Sequence, residues 1–261
     1  MIPKRIHQIW LGGKPLPDEY ACYAKTWQQH FPDWEYRLWT DDDDYSWMRN
    51  GEGFRTASTL SGRSDWLRYE LLLKFGGMYI DTDFECLRNF EPLIANVPAW
   101  SASESAGVIS VGIMGAEQGH PAFRYAVEHL PEWVAANPKA NPALQTGPGF
   151  FTALIARYHR NGGPRLKVFG PDLFYPYSYY EKHRKGEVFP NAVAVHHWAA
   201  SWMPKPTATR DCIHLGAALP GQTCACPDKL RRCDLHGQCT TGVQRDGVVC
   251  CAKCPDREVD E

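Results

Sequence analysis

The sequence has no long hydrophobic run and almost no net charge. No apolar stretch approaches the ~20 residues that a membrane-spanning helix needs. With 28 Lys and Arg against 30 Asp and Glu, the formal charge is −2, which gives no electrostatic reason to expect nucleic acid as a partner. The opening residues, MIPKRIHQIWLGG, lack the apolar core of a secretory signal peptide. We therefore expect a soluble, cytoplasmic protein, and peripheral contact with a membrane stays open.

The chain also lacks internal repeats and low-complexity tracts, and most of its length is poor in cysteine. Two cysteines, Cys22 and Cys86, lie in the body of the chain, whereas the other eight crowd the region after residue 211. This shift in composition follows the proline-punctuated stretch MPKPT. We predict a main domain over residues 1–204 and a small cysteine-rich tail over residues 205–261.

Strand and helix patterns alternate along the main domain. The strongest helix pattern covers residues 61–75, in which Leu67, Leu71 and Phe75 form one apolar stripe and a Gly-Gly pair follows. Strand patterns occur at KRIHQIWLG, WEYRLWT, VISVGIMGA and AVAVHHW. This alternation predicts an α/β fold, an open sheet with helices on both faces.

Two acidic residues, Asp81 and Asp83, follow the short buried strand pattern at residues 78–80. Being one residue apart in an extended segment, they point to the same side. Open α/β sheets bind ligands at the carboxyl ends of their strands. Two carboxylates this close need a basic side chain, a divalent cation or water between them. On its own, however, a D-x-D pattern is usually a polar turn.

Two further sets of polar residues fit a site at this position. Asp65 and Arg68 are three apart on the predicted helix and share a face that is offset from the apolar stripe. They can reach a cleft or simply form an intrahelical ion pair. His196 and His197 end the last strand pattern, so that one faces the core and its neighbour faces the other side. Two carboxylates and one imidazole suit Mg²⁺ or Mn²⁺, and the imidazole favours Mn²⁺.

The motifs of residues 2–202, in their order, resemble those of glycosyltransferase family 32, the sugar-binding-region glycosyltransferases. The resemblance rests on IPKRIHQIWLGG, RSDWLRYELLLKFGGMYIDTDFE, GIMGAEQGHP, TGPGFFT and HHWAASW. That family includes yeast Golgi mannosyltransferases and bacterial capsule and lipopolysaccharide enzymes. The S-D-x-x-R and G-G-x-Y-x-D-x-D motifs are similar also to the large clostridial glucosylating toxins. The resemblance implies a GT-A fold, a Rossmann-like mixed sheet flanked by helices.

The resemblance also implies roles for individual residues. Asp81 and Asp83 would be the catalytic acids, with Asp83 a direct metal ligand and Asp81 contacting the donor sugar and reaching the metal. His197 matches the C-terminal metal ligand, and His196 is the alternative. The remaining implied contacts are to the donor: Asp65 and Arg68 to its sugar, and Ile9, Trp10, Ser201 and Trp202 to its nucleotide.

One position departs from the family pattern. Relatives often have an asparagine just before the strand that resembles IMGA, and this chain has Gly112. We therefore expect a contact to the acceptor or the sugar to be missing.

The implied activity is a metal-dependent, retaining transfer of a sugar, as in polysaccharide biosynthesis. The donor is a nucleotide sugar, with a UDP-sugar favoured and GDP-mannose also compatible, and the acceptor is a glycan, a lipid-linked glycan or a protein. One alternative is a non-catalytic carbohydrate-binding or scaffold protein on the same fold. Another is a phosphatase of the haloacid dehalogenase type. Its D-x-D is usually followed by Gly or Thr, whereas Phe84 and Glu85 follow here.

The cysteine-rich tail is too short to fold without disulfide bonds or bound metal. Its even number of cysteines permits disulfides, with many alternative pairings. Thiolates could equally bind one or two Zn²⁺ ions, and the absence of a leader favours zinc because it indicates a reducing compartment. The candidate zinc ligands are Cys224, Cys226, Cys233, Cys239, Cys250, Cys251 and Cys254. We expect the tail to recognise an acceptor or to mediate oligomerisation; the sequence does not define an oligomeric state.

Overall fold

A six-stranded mixed sheet organises the first part of the chain. The computed structural model describes residues 1–199 and the strands Gly242–Arg245 and Val248–Cys251. In the first part the strands are β1 Arg5–Ile9, β2 Glu35–Trp39, β3 Gly77–Ile80, β4 Phe84–Cys86, β5 Ala99–Ser105, β6 Val108–Ala116, β7 Lys167–Phe169 and β8 Ala194–His196. The helices are α1 Asp18–His30, α2 Gly51–Thr56, α3 Leu60–Phe75, α4 Glu91–Ile94, α5 Pro121–Ala136, α6 Pro142–Gln145, α7 Pro148–Arg160 and α8 Pro171–Phe174, and a 3₁₀ helix covers Tyr179–Arg184.

The order of strands in the sheet is β2-β1-β3-β6-β5-β7. The β1 strand pairs in parallel with β2 and β3, and β5 pairs in parallel with β7, whereas β6 runs antiparallel to both of its neighbours. A separate antiparallel pair, β4 with β8, lies beyond the end of β3. The predicted mixed α/β fold with a central sheet is thus confirmed.

Helices cover both faces of the sheet because its central strands are apolar on both sides. In β3, Tyr79 packs into one core with residues of α3, α5 and α7. Its neighbours Met78 and Ile80 pack into the other core with residues of α1, α4 and α8. This alternation along a strand buried on both faces is typical of sheets in α/β proteins.

The α3 helix confirms the predicted helix almost residue for residue, but it is buried more completely than one apolar stripe requires. Its side chains from Asp65 to Leu73 are all buried. The Thr59 hydroxyl caps the first turn by accepting a hydrogen bond from the Gly62 amide at 3.0 Å. At the other end Gly76 has a φ of 64°, a conformation that glycine adopts without strain. The helix therefore delivers the chain directly into β3.

The chain divides into two units, Met1–Trp202 and Met203–Glu261. In the second unit, the described strands β9 Gly242–Arg245 and β10 Val248–Cys251 form an antiparallel pair. Throughout the part of the chain that the structure describes, no helix combines the length and the apolar character needed to cross a membrane.

One histidine of β1 is buried as a neutral group. His7 is 0% exposed; its Nδ1 accepts a hydrogen bond from Trp39 Nε1 at 3.0 Å, and its Nε2 donates to the Gly76 carbonyl at 3.0 Å. The neutral ring therefore has a hydrogen-bond partner at each of its two nitrogens. Burial lowers the pKa of His7 to about 4, against an ordinary value of 6.5.

This burial predicts that the protein loses stability as the pH falls from 6.5 to 4. The unfolded chain takes up a proton on His7 in that range and the folded chain does not, so the free energy of unfolding falls by up to about 3 kcal/mol. Urea unfolding at several pH values measures this loss. In His7→Gln the loss between pH 6.5 and 4 should shrink, whereas the exposed His183→Gln should retain it. An equal pH dependence in all three proteins would contradict the buried neutral ring.

Candidate active site

The two predicted acids lie where β3 leaves the sheet. The Asp81 amide donates to the Gly112 carbonyl at 2.8 Å, which extends the β3–β6 pairing by one residue. Gln8 Nε2 donates to the Asp81 carbonyl at 3.1 Å from β1. A turn then leads into β4, with the Phe84 amide donating to the Asp81 carbonyl at 3.2 Å. The backbone around the acids is therefore held by both neighbouring strands.

Three side chains converge at this turn. Asp81, Asp83 and His196 each offer a ligand atom, and these atoms lie within 4.8 Å of one another. His196 Nε2 donates to Asp83 Oδ1 at 3.0 Å, and the Ala199 amide donates to Asp83 Oδ2 at 2.8 Å. The other ring nitrogen of His196, Nδ1, is buried and has no hydrogen-bond partner among the described residues. The cluster has the donor atoms of a candidate site for a divalent cation.

Asp83 and His196 stabilise each other's charge. Burial alone would raise the pKa of Asp83, but the charge of His196 and hydrogen bonds from His196 and the Ala199 amide lower it to about 2. Burial alone would lower the pKa of His196, and the charge of Asp83 together with its hydrogen bond raises it. A cation that used His196 Nε2 as a ligand would take the place of the proton on that nitrogen.

The structure brings His196, rather than His197, to the acids. His196 pairs with Phe84 across the β4–β8 ladder, and its neighbour must point to the other side of the strand. His197 Nε2 donates to Glu85 Oε2 at 3.0 Å, its Nδ1 accepts from the Tyr177 hydroxyl at 3.1 Å, and its ring stacks on Tyr23. The structure therefore places the alternative histidine beside the acids, whereas the His197 side chain contacts Glu85, Tyr177 and Tyr23.

Arg68 contacts both Asp65 and Asp81, and so links the predicted Asp65–Arg68 pair to the two predicted acids. Its guanidinium lies 3.2 Å from Asp65 Oδ1 and 3.3 Å from Asp81 Oδ1. Only 5% of Asp65 and 5% of Arg68 is exposed, so the pair is a buried ion pair rather than a solvated one. Burial raises the pKa of Asp65 to about 6 and raises that of Asp81, and Arg68 opposes both shifts.

The acids have hydroxyl partners that sequence reasoning missed. The Thr146 hydroxyl donates to Asp65 Oδ2 at 2.6 Å, and the Tyr79 hydroxyl donates to Asp81 Oδ1 at 2.6 Å. The Arg68 guanidinium also lies over the Tyr79 ring, 4.5 Å from its centre. Both residues stand in motifs that carry the family resemblance, Tyr79 as the tyrosine of G-G-x-Y-x-D-x-D and Thr146 as the first residue of TGPGFFT, but the motifs do not show that their hydroxyls bind the acids.

A wide bulge in β6 lies over the site. Ser101 pairs with Met114 and Ser103 pairs with Ile109, so residues 110–113 face a single residue of β5. Three carbonyls of the bulge accept hydrogen bonds: Ser110 from the Ser101 hydroxyl at 2.6 Å, Val111 from Arg68 at 2.8 Å and Gly112 from the Asp81 amide at 2.8 Å. The bulge is therefore built into the site and not a defect of the sheet.

The bulge explains the glycine that departs from the family pattern. A Cβ atom on Gly112 would lie 2.7 Å from Asp81 Oδ2 and 2.9 Å from the Tyr175 hydroxyl. Contacts this short require a neighbour to shift, so the Asp81 carboxylate and the Tyr175 hydroxyl occupy the space that a side chain at position 112 would need.

A second polar group lines the site from β5. The Ser110 and Tyr175 hydroxyls are in contact, and the half-buried carboxyl of Glu104 lies beside Ser110. Burial raises the pKa of Glu104, and the charge of His196 opposes that rise. The strand patterns of the sequence do not include β5, because its serine-rich segment AWSASES lacks a clear apolar alternation.

The predicted nucleotide contacts are only partly described. Trp10 is half-buried beyond the end of β1, with its Nε1 donating to the Lys14 carbonyl at 2.7 Å and its ring against Tyr20. Ile9 is buried in the core. The other two predicted nucleotide contacts, Ser201 and Trp202, lie outside the described residues. So do the candidate zinc ligands at positions 224, 226, 233, 239 and 254, while Cys250 and Cys251 fall on β10.

Residues 17–100, which contain the Arg68 ion pairs and both acids, match the family described as the glycosyltransferase sugar-binding region containing DXD motif. The chain contains a glycosyltransferase domain of this family. The resemblance stated from the motifs is thereby confirmed, and the match leaves the phosphatase interpretation of the D-x-D pattern without support.

Named relatives extend the glycosyltransferase likeness beyond the DXD region. Inositol phosphoceramide mannosyltransferase 3 of Schizosaccharomyces pombe is 31% identical over 222 residues, which cover 76% of this chain and 60% of the relative. Mannosyl phosphorylinositol ceramide synthase CSH1 of Saccharomyces cerevisiae is 30% identical over 183 residues, which cover 64% of this chain and 47% of the relative. The chain thus spans about half to three fifths of these relatives.

A solved structure supports the GT-A type of the domain. The glycosyltransferase GlyE of Streptococcus pneumoniae TIGR4 superimposes with a TM-score of 0.50 over 80% of this chain and 57% of that chain. Its sequence identity is 8%, so the likeness concerns the fold alone.

The close contact at Gly112 predicts that Gly112→Ala disturbs the glycosyltransferase domain at Asp81. We expect the free energy of unfolding to fall by about 1–3 kcal/mol, the usual cost of overpacking, because the added methyl group must push the carboxylate away. Chemical unfolding measures this change. Gly51→Ala is the matched control, since its Cβ would have no neighbour closer than 3.5 Å. Equal stability of the two variants would show that the Asp81 carboxylate does not occupy this space.

Proposed function

We propose that the protein transfers a hexose from a nucleotide-sugar donor to an acceptor, with a divalent cation and with retention of the anomeric configuration. One observation carries this proposal. Asp81, Asp83 and His196 converge at the carboxyl end of β3, inside a domain of the DXD glycosyltransferase family. This is the edge at which open α/β sheets bind nucleotides.

The convergent residues fit a divalent cation. Two carboxylates and one imidazole form a mixed oxygen and nitrogen donor set, which supports Mn²⁺ and leaves Mg²⁺ as the second choice. Asp83 and His196 would hold the ion and Asp81 would complete the set. When bound, the cation neutralises charge on the departing nucleoside diphosphate as a Lewis acid.

The remaining residues of the site act on the sugar. Arg68 balances the charges of Asp65 and Asp81 and so allows two acids to stay ionised in a buried position. Carboxylates fixed in this way accept hydrogen bonds from sugar hydroxyls with little reorganisation. Tyr79 and Thr146 orient those carboxylates through their own hydroxyls. We propose that Asp65, Arg68 and Asp81 form the wall on which the donor sugar lies.

The relatives bear on the choice of donor and acceptor. Two of them are named for mannosyl transfer to inositol phosphoceramide or for synthesis of the mannosylated lipid. These names support mannose as the first sugar to test and a lipid with an anionic headgroup as the first acceptor. The S-D-x-x-R motif favours a UDP-sugar, so GDP-mannose and UDP-sugars should be compared in the same assay.

Hydrolysis of nucleotide sugars in the absence of acceptor tests the proposal. GDP-mannose, UDP-glucose and UDP-galactose are offered with Mn²⁺, and nucleoside diphosphate release is measured. We expect release from at least one donor that stops on chelation of the metal. Asp83→Asn and His196→Gln should each lower the rate a hundredfold or more, about 2.7 kcal/mol of transition-state stabilisation.

The control variant is Asp172→Asn, an exposed carboxylate in α8, which should leave the rate unchanged. A generic phosphomonoester is included as a further substrate. Metal-independent release from every donor, or fast hydrolysis of the phosphomonoester, would contradict the proposal. Where a product linkage forms, it should have the configuration of the donor, and an inverted linkage would refute retention.

A further inference from the structure

The segment after Tyr177 is fixed against the main domain by polar contacts. The Glu181 carboxylate accepts hydrogen bonds from the Ser178 amide at 2.9 Å and from the Ser178 hydroxyl at 2.8 Å, which caps the 3₁₀ helix. Lys185 Nζ lies 2.6 Å from Glu19 Oε1 on α1. The segment thereby presents its basic side chains in defined directions.

Among these basic side chains, Lys182 stands apart. Arg184 pairs with Glu181 and Glu187, and Lys185 pairs with Glu19. Lys182 has no carboxylate within ion-pair distance in the part of the chain that the structure describes. Its ammonium group instead lies over the Tyr179 ring, 4.0 Å from the ring centre. The charge of Lys182 is therefore available to a ligand.

A row of aromatic rings connects Lys182 with the acids. The Tyr179 ring meets the edge of the Trp198 ring at 6.4 Å, and the Trp198 ring lies 4.4 Å from that of His196. Trp198 is held there by its Nε1, which donates to the Tyr177 carbonyl at 2.8 Å. Partial burial lowers the pKa of Lys182, and the charge of Asp83 opposes that effect. The Trp198 ring therefore lies between the His196 ring of the candidate cation site and the Tyr179 ring that the Lys182 ammonium group covers.

The proposed reaction favours a fixed positive group beside the diphosphate in addition to the divalent cation. A departing nucleoside diphosphate carries more negative charge than one divalent ion neutralises, and fixed positive groups stabilise such developing charge. The Arg68 guanidinium is not available to the diphosphate, because it already contacts Asp65, Asp81 and the Val111 carbonyl. Lysine binds phosphate oxygens as a compact point charge.

We propose that Lys182 is a catalytic residue that binds the diphosphate of the nucleotide-sugar donor, an inference that rests on the proposed function. Its partner is the diphosphate and not the base or the sugar. The prediction is therefore specific to ligands that carry both phosphates.

Equilibrium binding with Mn²⁺ present tests this assignment. UDP and GDP are compared with uridine and guanosine, in the wild type, Lys182→Gln, Lys182→Arg and Lys185→Gln. We expect Lys182→Gln to weaken binding of the diphosphate that the wild type prefers about tenfold and to leave nucleoside binding unchanged. Lys182→Arg should restore most of the affinity. Lys185→Gln, a change of the same kind three residues away, should bind like the wild type.

Salt provides an independent readout, because removing the positive charge of Lys182 should make diphosphate binding less sensitive to ionic strength. Diphosphate affinity in Lys182→Gln within twofold of the wild type would overturn the assignment while leaving the proposed function intact. A wild-type protein that binds neither diphosphate would overturn the proposed function, and the role of Lys182 with it.

Discussion

The Arg68 guanidinium, buried between Asp65 and Asp81, is the interaction on which the rest of the site depends. Two carboxylates in a dry position would otherwise take up protons or move apart. The same guanidinium also donates to the Val111 carbonyl in the bulge of β6 at 2.8 Å. One side chain thus balances the charge of the site and satisfies the backbone next to it. Breaking a buried pair of this kind typically costs about 3–5 kcal/mol.

The bulge in β6 and the position of the Asp81 carboxylate depend on each other. Because four residues of β6 face one residue of β5, the chain has room above the end of β3. Asp81 fills that room so closely that a Cβ atom at position 112 would push against its carboxylate. The Asp81 carboxylate is therefore held by packing as well as by Tyr79 and Arg68, and fixed charges of this kind are what electrostatic catalysis uses.

Much of this arrangement follows from local patterns in the sequence. The helix before β3 is confirmed by α3, and the pairing of the two acids on one side follows from the two-residue repeat of an extended chain. Which histidine lies beside the acids does not follow from a local pattern, because adjacent residues of a strand face opposite ways and only the β4–β8 register decides between His196 and His197. The burial of Asp65 and Arg68, the serine-rich β5 and the bulge also depend on tertiary contacts that no local pattern encodes.

The most direct test of the account is the position of the metal. In crystals grown with Mn²⁺ and either UDP or GDP, the anomalous signal of manganese locates the ion independently of its ligands. We expect a single strong peak within coordination distance of an Asp83 carboxylate oxygen and His196 Nε2, with the diphosphate bound to the ion. A peak held by His197, or a bound diphosphate with no metal beside Asp83, would contradict the account.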